Sequence, residues 1–207
     1  MRISTSISAL ALVASLVFSV QPAAAATKFV GASRVFEGTH GSPAKSSLGY
    51  FASSDTIRLF SDAARQAIER NGGLHEYSDS VAVDSRNGNV VYFATNQKIG
   101  DMLYRMRINS YNFKTKRLTV LFTQDLTSTD GNLYLTGYEV VGMDGNKLVL
   151  FPNTDNSPGP CANLWEMSYG YLDVTRPSAG IKTYKVPQYL IQQGAKEASV
   201  CEKSMGQ

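Results

Sequence analysis

The chain has 207 residues, with 20 Lys and Arg against 17 Asp and Glu and a formal charge of +3. A balance this close to neutral excludes bulk nucleic-acid binding, which needs a clustered basic surface. Two histidines and two cysteines in no metal-ligand spacing point to no metal or cofactor, and 11 Tyr with 9 Phe favour strands over helices.

Ile7–Val20 is a 14-residue apolar run behind Arg2, followed by Pro22 and four alanines, Ala23–Ala26. A positive start, a short apolar run and small residues at the cleavage positions make an export signal peptide. The run is shorter than the roughly 20 residues that cross a bilayer, so no stable membrane insertion is expected. Cleavage is expected after Ala25 or Ala26. No cysteine follows the run, which excludes lipid attachment there. Loss of residues 1–25 leaves 26–207, expected to be a single secreted or periplasmic domain with 19 basic and 17 acidic residues.

Lys28–Phe36 reads as a strand, and Leu48–Ala52 with Thr56–Phe60 as a hairpin around Ser53-Ser54-Asp55. Ser61–Arg70 reads as a short helix, with Ser61 as N-cap and Asn71-Gly72 as a left-handed stop. From Ser80 onward, strands and tight turns alternate. Ser80–Val83 and Val90–Thr95 flank a turn containing Asn87-Gly88, a strong hairpin signal. Met102–Asn109 and Leu118–Phe122 flank the polar turn Lys114–Arg117. Tyr138–Met143, the turn Asp144-Gly145-Asn146, Lys147–Phe151, Leu164–Leu172 and Ile181–Val186 then complete a second set.

The two sets, about Ser80–Phe122 and Tyr138–Val186, form an internal repeat. Gly88–Phe93 aligns with Gly145–Leu150 at an offset of 57, and Leu103–Met106 with Leu164–Met167 at an offset of 61. Each unit reads as four antiparallel strands, the pattern of a propeller blade. Val90–Phe93 and Leu148–Phe151 are continuously apolar, as strands buried on both faces are. In Leu103–Ile108 the apolar and charged residues alternate, which puts Arg105 and Arg107 on one side and Tyr104, Met106 and Ile108 on the other. The expected fold is therefore all-β: repeated four-stranded, blade-like units forming a partial or small β-propeller, or else a β-sandwich, with one short helix. A stack this short leaves an apolar face, to be covered by the N-terminal segment or by a second copy of the chain.

On these residues, namely the Asn87-Gly88 or Asp144-Gly145 turn, the apolar strand after it and the Leu-aromatic-x-Met strand, about Ser80–Val186 resembles the TolB and WD40-like propeller families. The resemblance implies a binding or scaffold platform and no particular chemistry.

Cys161 and Cys201 are the only thiols of the processed chain and are expected to pair in an oxidising compartment, two free thiols being the alternative. No G-x-S-x-G elbow accompanies His40 or His75. Asp84 and Asp144 sit in turns, where aspartate commonly bonds nearby backbone amides. Glu139 and Glu166 could form the carboxylate pair of a glycoside hydrolase. Asp125, Asp130 and Asn132 make an oxygen-rich loop that reads as a polar connector, without the twelve-residue calcium signature. The best binding candidate is the cationic strip Tyr104, Arg105, Arg107, Tyr111, Lys114, Lys116 and Arg117, suited to an anionic glycan or an acidic protein surface. Such charges also discourage pairing at an outer strand. The leading functional expectation is an exported, non-catalytic binding or scaffold protein that recognises a macromolecule or glycan through blade edges and loops. The alternatives are a secreted polysaccharide hydrolase and a self-associating structural subunit.

Overall fold

The computed structural model describes residues 29–40, 45–74, 79–127, 137–153 and 161–205; the expected signal peptide, His75, Asp130 and Asn132 lie outside the described residues. The fold is mostly antiparallel β, arranged as two open sheets with two helices.

The N-terminal region supplies β1 (Val30–Gly31), β2 (Ser33–His40), β3 (Lys45–Ser53), β4 (Thr56–Leu59) and the helix α1 (Asp62–Arg70). The single strand expected over Lys28–Phe36 is divided at Ala32, because the segment crosses between sheets there. Val30 pairs with Met143 in one sheet and Ser33 with Val81 in the other, while the Ala32 amide donates to the Val141 carbonyl at 2.8 Å. Helix α1 begins as expected, the Ser61 side chain accepting from the Ala64 amide at 3.3 Å. It ends at Asn71 and Gly72, whose φ of +109° is a conformation that glycine adopts without penalty.

Next come β5 (Ser80–Val83), β6 (Val90–Gly100), β7 (Leu103–Asn112) and β8 (Arg117–Thr127), then β9 (Gly137–Asp144), β10 (Lys147–Asn153), β11 (Tyr169–Asp173) and β12 (Ile181–Tyr184). The seven-stranded sheet has the order β4-β3-β2-β5-β6-β7-β8 and the five-stranded sheet β1-β9-β10-β11-β12. Only the latter half of the expected strand Leu164–Leu172 is extended; Leu164–Glu166 forms a 3₁₀ turn capped by Asn163.

The expectation of a single short helix is corrected at the C-terminus. Gln188–Met205 forms an 18-residue helix, α2. Its residues are mostly good helix formers, but an interior glycine and a narrow buried stripe weaken the signal in the sequence. Only Leu190 and Gly194 are fully buried, one turn apart on one face.

The core lies in three clusters. Val35, Tyr50, Phe60, Ile68 and Leu74 from the N-terminal region pack on Val91, Phe93 and Tyr111 of β6 and β7. The opposite face of those strands, with Tyr92, Ala94, Met106 and Ile108, packs on Val140, Met143, Leu148, Leu150 and Leu172 of the five-stranded sheet. The far face of that second sheet carries Val149, Tyr169 and Tyr184, against Phe29, Phe151 and Trp165. The continuously apolar strands are thus covered on both sides, as their composition demands. The N-terminal segment, not a second chain, occupies the face opened by Val91 and Phe93.

Candidate functional site

The cationic strip does not form one surface. On β7, Tyr104, Met106 and Ile108 are buried while Arg105 and Arg107 lie half-exposed on the other side, as the alternation requires. Tyr104 and Tyr111 are each 1% exposed, so the aromatic members of the strip belong to the core. Arg105 forms a two-pronged ion pair with Asp125 on β8, Nε to Oδ1 at 2.7 Å and Nη2 to Oδ2 at 2.8 Å. Its hydrogen bonds hold the Asp125 carboxyl below, and Arg105 above, their ordinary values. Arg107 donates from Nη1 to Gln97 Oε1 at 3.0 Å. Lys114 and Lys116 are exposed in the β7–β8 turn at the other end of the strand, and Arg117 is exposed at the start of β8.

Asp84 serves the structure around its own turn, whereas Asp144 reaches a strand 40 residues away in sequence. Asp84 accepts from the Arg86 amide at 2.9 Å, from the Arg86 guanidinium at 3.0 and 2.9 Å, and from the Tyr92 hydroxyl at 2.8 Å. Burial alone would raise its pKa, but these donors outweigh it and hold the carboxyl below its ordinary value. Asp144 accepts from the Tyr184 hydroxyl at 3.0 Å. Of the histidines, only the His40 backbone is described, at the end of β2.

Glu139 and Glu166 separate. Glu166 is exposed on the 3₁₀ turn and accepts from Asn163 Nδ2 at 3.1 Å. Glu139, on β9, is half-buried and lines a cavity of about 240 Å³ with Ser80, Val141, Phe151 and Tyr169. Burial raises the Glu139 carboxyl above its ordinary value, the Asp79 charge raises it further, and a hydrogen bond with the Ser80 side chain opposes both. The carboxylate that bears on Glu139 is therefore Asp79, which the sequence pattern does not single out.

A second cavity of about 310 Å³ abuts the first, sharing Val141, Leu164 and Tyr169 with it. Trp165, Glu197 and the Cys161–Cys201 disulfide complete its wall. The disulfide, with its Cα atoms 5.5 Å apart, ties α2 to the segment before the 3₁₀ turn, as expected. Trp165 stacks on Tyr169 with ring centroids 5.2 to 5.3 Å from its two aromatic neighbours: Phe29 meets Trp165 edge-on at 5.2 Å, and the Trp165–Tyr169 distance is 5.3 Å. Phe151 lies 5.3 Å from Tyr169 on the other side. The Tyr169 hydroxyl donates to the Leu164 carbonyl at 3.0 Å and is pushed up to about 12 by burial and by Glu139.

The two cavities make a groove walled by aromatic rings, the disulfide and two carboxylates, Glu139 and Glu197. No lysine, arginine or histidine lines it among the described residues. Its parts come from β5, β9, β10, the 3₁₀ turn, β11 and α2, so no local sequence pattern announces it. The one available signal was the single tryptophan four residues after a disulfide cysteine. No family of known proteins, curated protein or solved structure matches the chain.

Proposed function

We propose that the protein is an exported, non-catalytic binding protein built from two blade-like four-stranded units, and that it takes a peptide or glycan ligand into the groove beside α2. The repeat is supported by a recurring backbone contact. Phe113 N donates to Asn89 O at 2.8 Å and Val174 N to Asn146 O at 3.0 Å, positions related by the same offsets of 57 and 61 residues as the sequence repeat. Export is supported by the disulfide, and no helix among the described residues is long and apolar enough to cross a membrane.

The observation that carries the binding reading is the groove itself, concave and largely apolar, with a few convergent polar groups. In the cationic strip, by contrast, Arg105 and Arg107 are already engaged by Asp125 and Gln97. Trp165 is the only tryptophan and lines the groove, so its emission reports occupancy. Titrating the mature protein with chito-oligosaccharides and with extended peptides should give a saturable change in Trp165 emission for one class. Flat titrations with both would overturn the reading.

A second reading, hydrolysis of a polysaccharide, is favoured by one observation. Glu139 is a carboxyl disposed to keep its proton, with Asp79 acting on it, the pairing that a general acid and its partner require. Release of reducing ends from a polysaccharide, lost in Glu139→Gln, would establish catalysis in place of simple binding.

A further inference from the structure

Glu139 is a half-buried carboxylate in a cavity whose other described walls are apolar, aromatic or hydroxyl-bearing. It makes no ion pair with a cationic side chain among the described residues. A carboxylate in such a place is costly to ionise unless a cation joins it. The neighbouring cavity also carries an acid, Glu197, its only charged wall residue among those described, though this one is exposed and accepts from Gln193 Nε2 at 2.9 Å. Phe151 and Tyr169 place ring surface beside Glu139, and Trp165 stacks on Tyr169 from the second cavity. Aromatic rings attract cations through the negative charge of their faces, most strongly where water is excluded. A carboxylate and aromatic rings around one cavity favour an alkylammonium group, whose methylenes suit the apolar wall and whose charge suits the acid.

We infer that the groove binds a ligand bearing a primary alkylammonium group, seated at Glu139 beside the contacting rings of Phe151 and Tyr169. This rests on the groove being the binding site. It adds the chemical class of the ligand: a cation on an apolar stem, in place of the anionic partner that the cationic strip had suggested. Either a free diamine or a lysine side chain supplies that chemistry, and the cavity of about 240 Å³ admits both.

The test uses the mature, disulfide-intact protein and Trp165 emission. The probes are cadaverine, Nα-acetyl-lysine methylamide, its uncharged counterpart Nα-acetyl-norleucine methylamide, and a chito-oligosaccharide. Saturable titration is expected with at least one of the two amines, the better one telling a free amine from a lysine side chain. The norleucine compound should bind at least tenfold more weakly than the lysine compound. Glu139→Gln, nearly the same shape, should weaken amine binding tenfold or more. Equal binding of the lysine and norleucine compounds, or amine binding untouched by Glu139→Gln, would overturn the inference. If Glu139→Gln does not fold, the lysine–norleucine comparison on the unaltered protein decides alone. Response to the oligosaccharide without response to either amine would sink the ammonium proposal and leave the binding groove standing. Silence from all four probes would overturn the ammonium inference, and silence from extended peptides as well would remove the binding groove with it.

Discussion

At the scale of single residues, Asp84 shows how a turn residue becomes a structural centre. Its side chain is 6% exposed and gathers the Arg86 guanidinium, the Arg86 amide and the Tyr92 hydroxyl. Replacement by Asn keeps the shape but removes the charge that these donors face. Asp84→Asn should cost about 1–3 kcal/mol, the usual penalty for disturbing a buried hydrogen-bonded charge. Denaturant unfolding at neutral pH measures this, and an unchanged midpoint would contradict the assignment. The pH dependence has a definite sign. The folded-state pKa of Asp84 is depressed, so its contribution is present above about pH 4 and is lost as pH falls through the folded value. Asp84→Asn should therefore flatten the acid side of the stability curve. Arg105 and Asp125 make a contrast: their side chains are 39% and 43% exposed, where water screens the pair and its removal should change stability little. The alternation of β7 was legible in sequence down to which side Arg105 takes. That Asp125 would stand opposite it was not, because cross-strand register is set by a bulge between Ile108 and Asn109.

At the scale of elements, α2 governs the groove. The disulfide closes a sequence separation of 40 residues, worth roughly 4 kcal/mol on the chain-entropy model. A further attachment of the helix is close packing at Gly194, where a Cβ would meet Asn163 Oδ1 and Trp165 Cδ1. Asn163 also donates to the Ile191 carbonyl at 3.0 Å. Gly194→Ala would gain about 1 kcal/mol of intrinsic helix propensity, yet it should push α2 off the 3₁₀ turn. The expected result is a red-shifted Trp165 emission with helix content kept. Unshifted emission would mean that the helix and the turn are not in close contact. Helix α1 was readable because Ser61 and Asn71-Gly72 mark both its ends. For α2 the chain offers Gly194 in the middle and only two fully buried positions, Leu190 and Gly194. Its docking depends on Trp165 and Cys161, which lie far away in sequence.

At the scale of the whole molecule, the seven-stranded sheet is apolar on both faces around β6. Val91 and Phe93 are fully buried under β2, β3 and α1, while Met106 and Ile108 are fully buried under the five-stranded sheet. Arg58 helps to hold the N-terminal layer in place. Its guanidinium carbon sits 4.2 Å from the centre of the Phe113 ring and its Nη1 donates to the Gly88 carbonyl at 2.6 Å. Removing residues 28–70 would expose Val81, Val91, Phe93 and Tyr111 together. At roughly 25 cal/mol per Å², a face of a few hundred Å² costs several kcal/mol, comparable with the net stability of a domain. The truncated protein should aggregate or fail to unfold cooperatively. A soluble, cooperative monomer of residues 80–207, seen by sedimentation and thermal melting, would show that the N-terminal layer is dispensable.

The sequence by itself determined the predominance of strands, the hairpin turns, the period-two face of β7, helix α1 and the pairing of the two cysteines. Each of these depends on neighbours a few residues apart, or, for Cys161 and Cys201, on there being no other cysteine in the sequence. Tertiary structure decided which strands share a sheet, that Tyr111 is buried beneath the N-terminal layer, and that Asp79 rather than Glu166 bears on Glu139. It also decided that the groove lies beneath α2. The physical reason is that burial and electrostatics act through space. A side chain on a known face of its strand is buried only if another layer covers that face, and a carboxyl's proton affinity is set by whichever groups the fold brings near it.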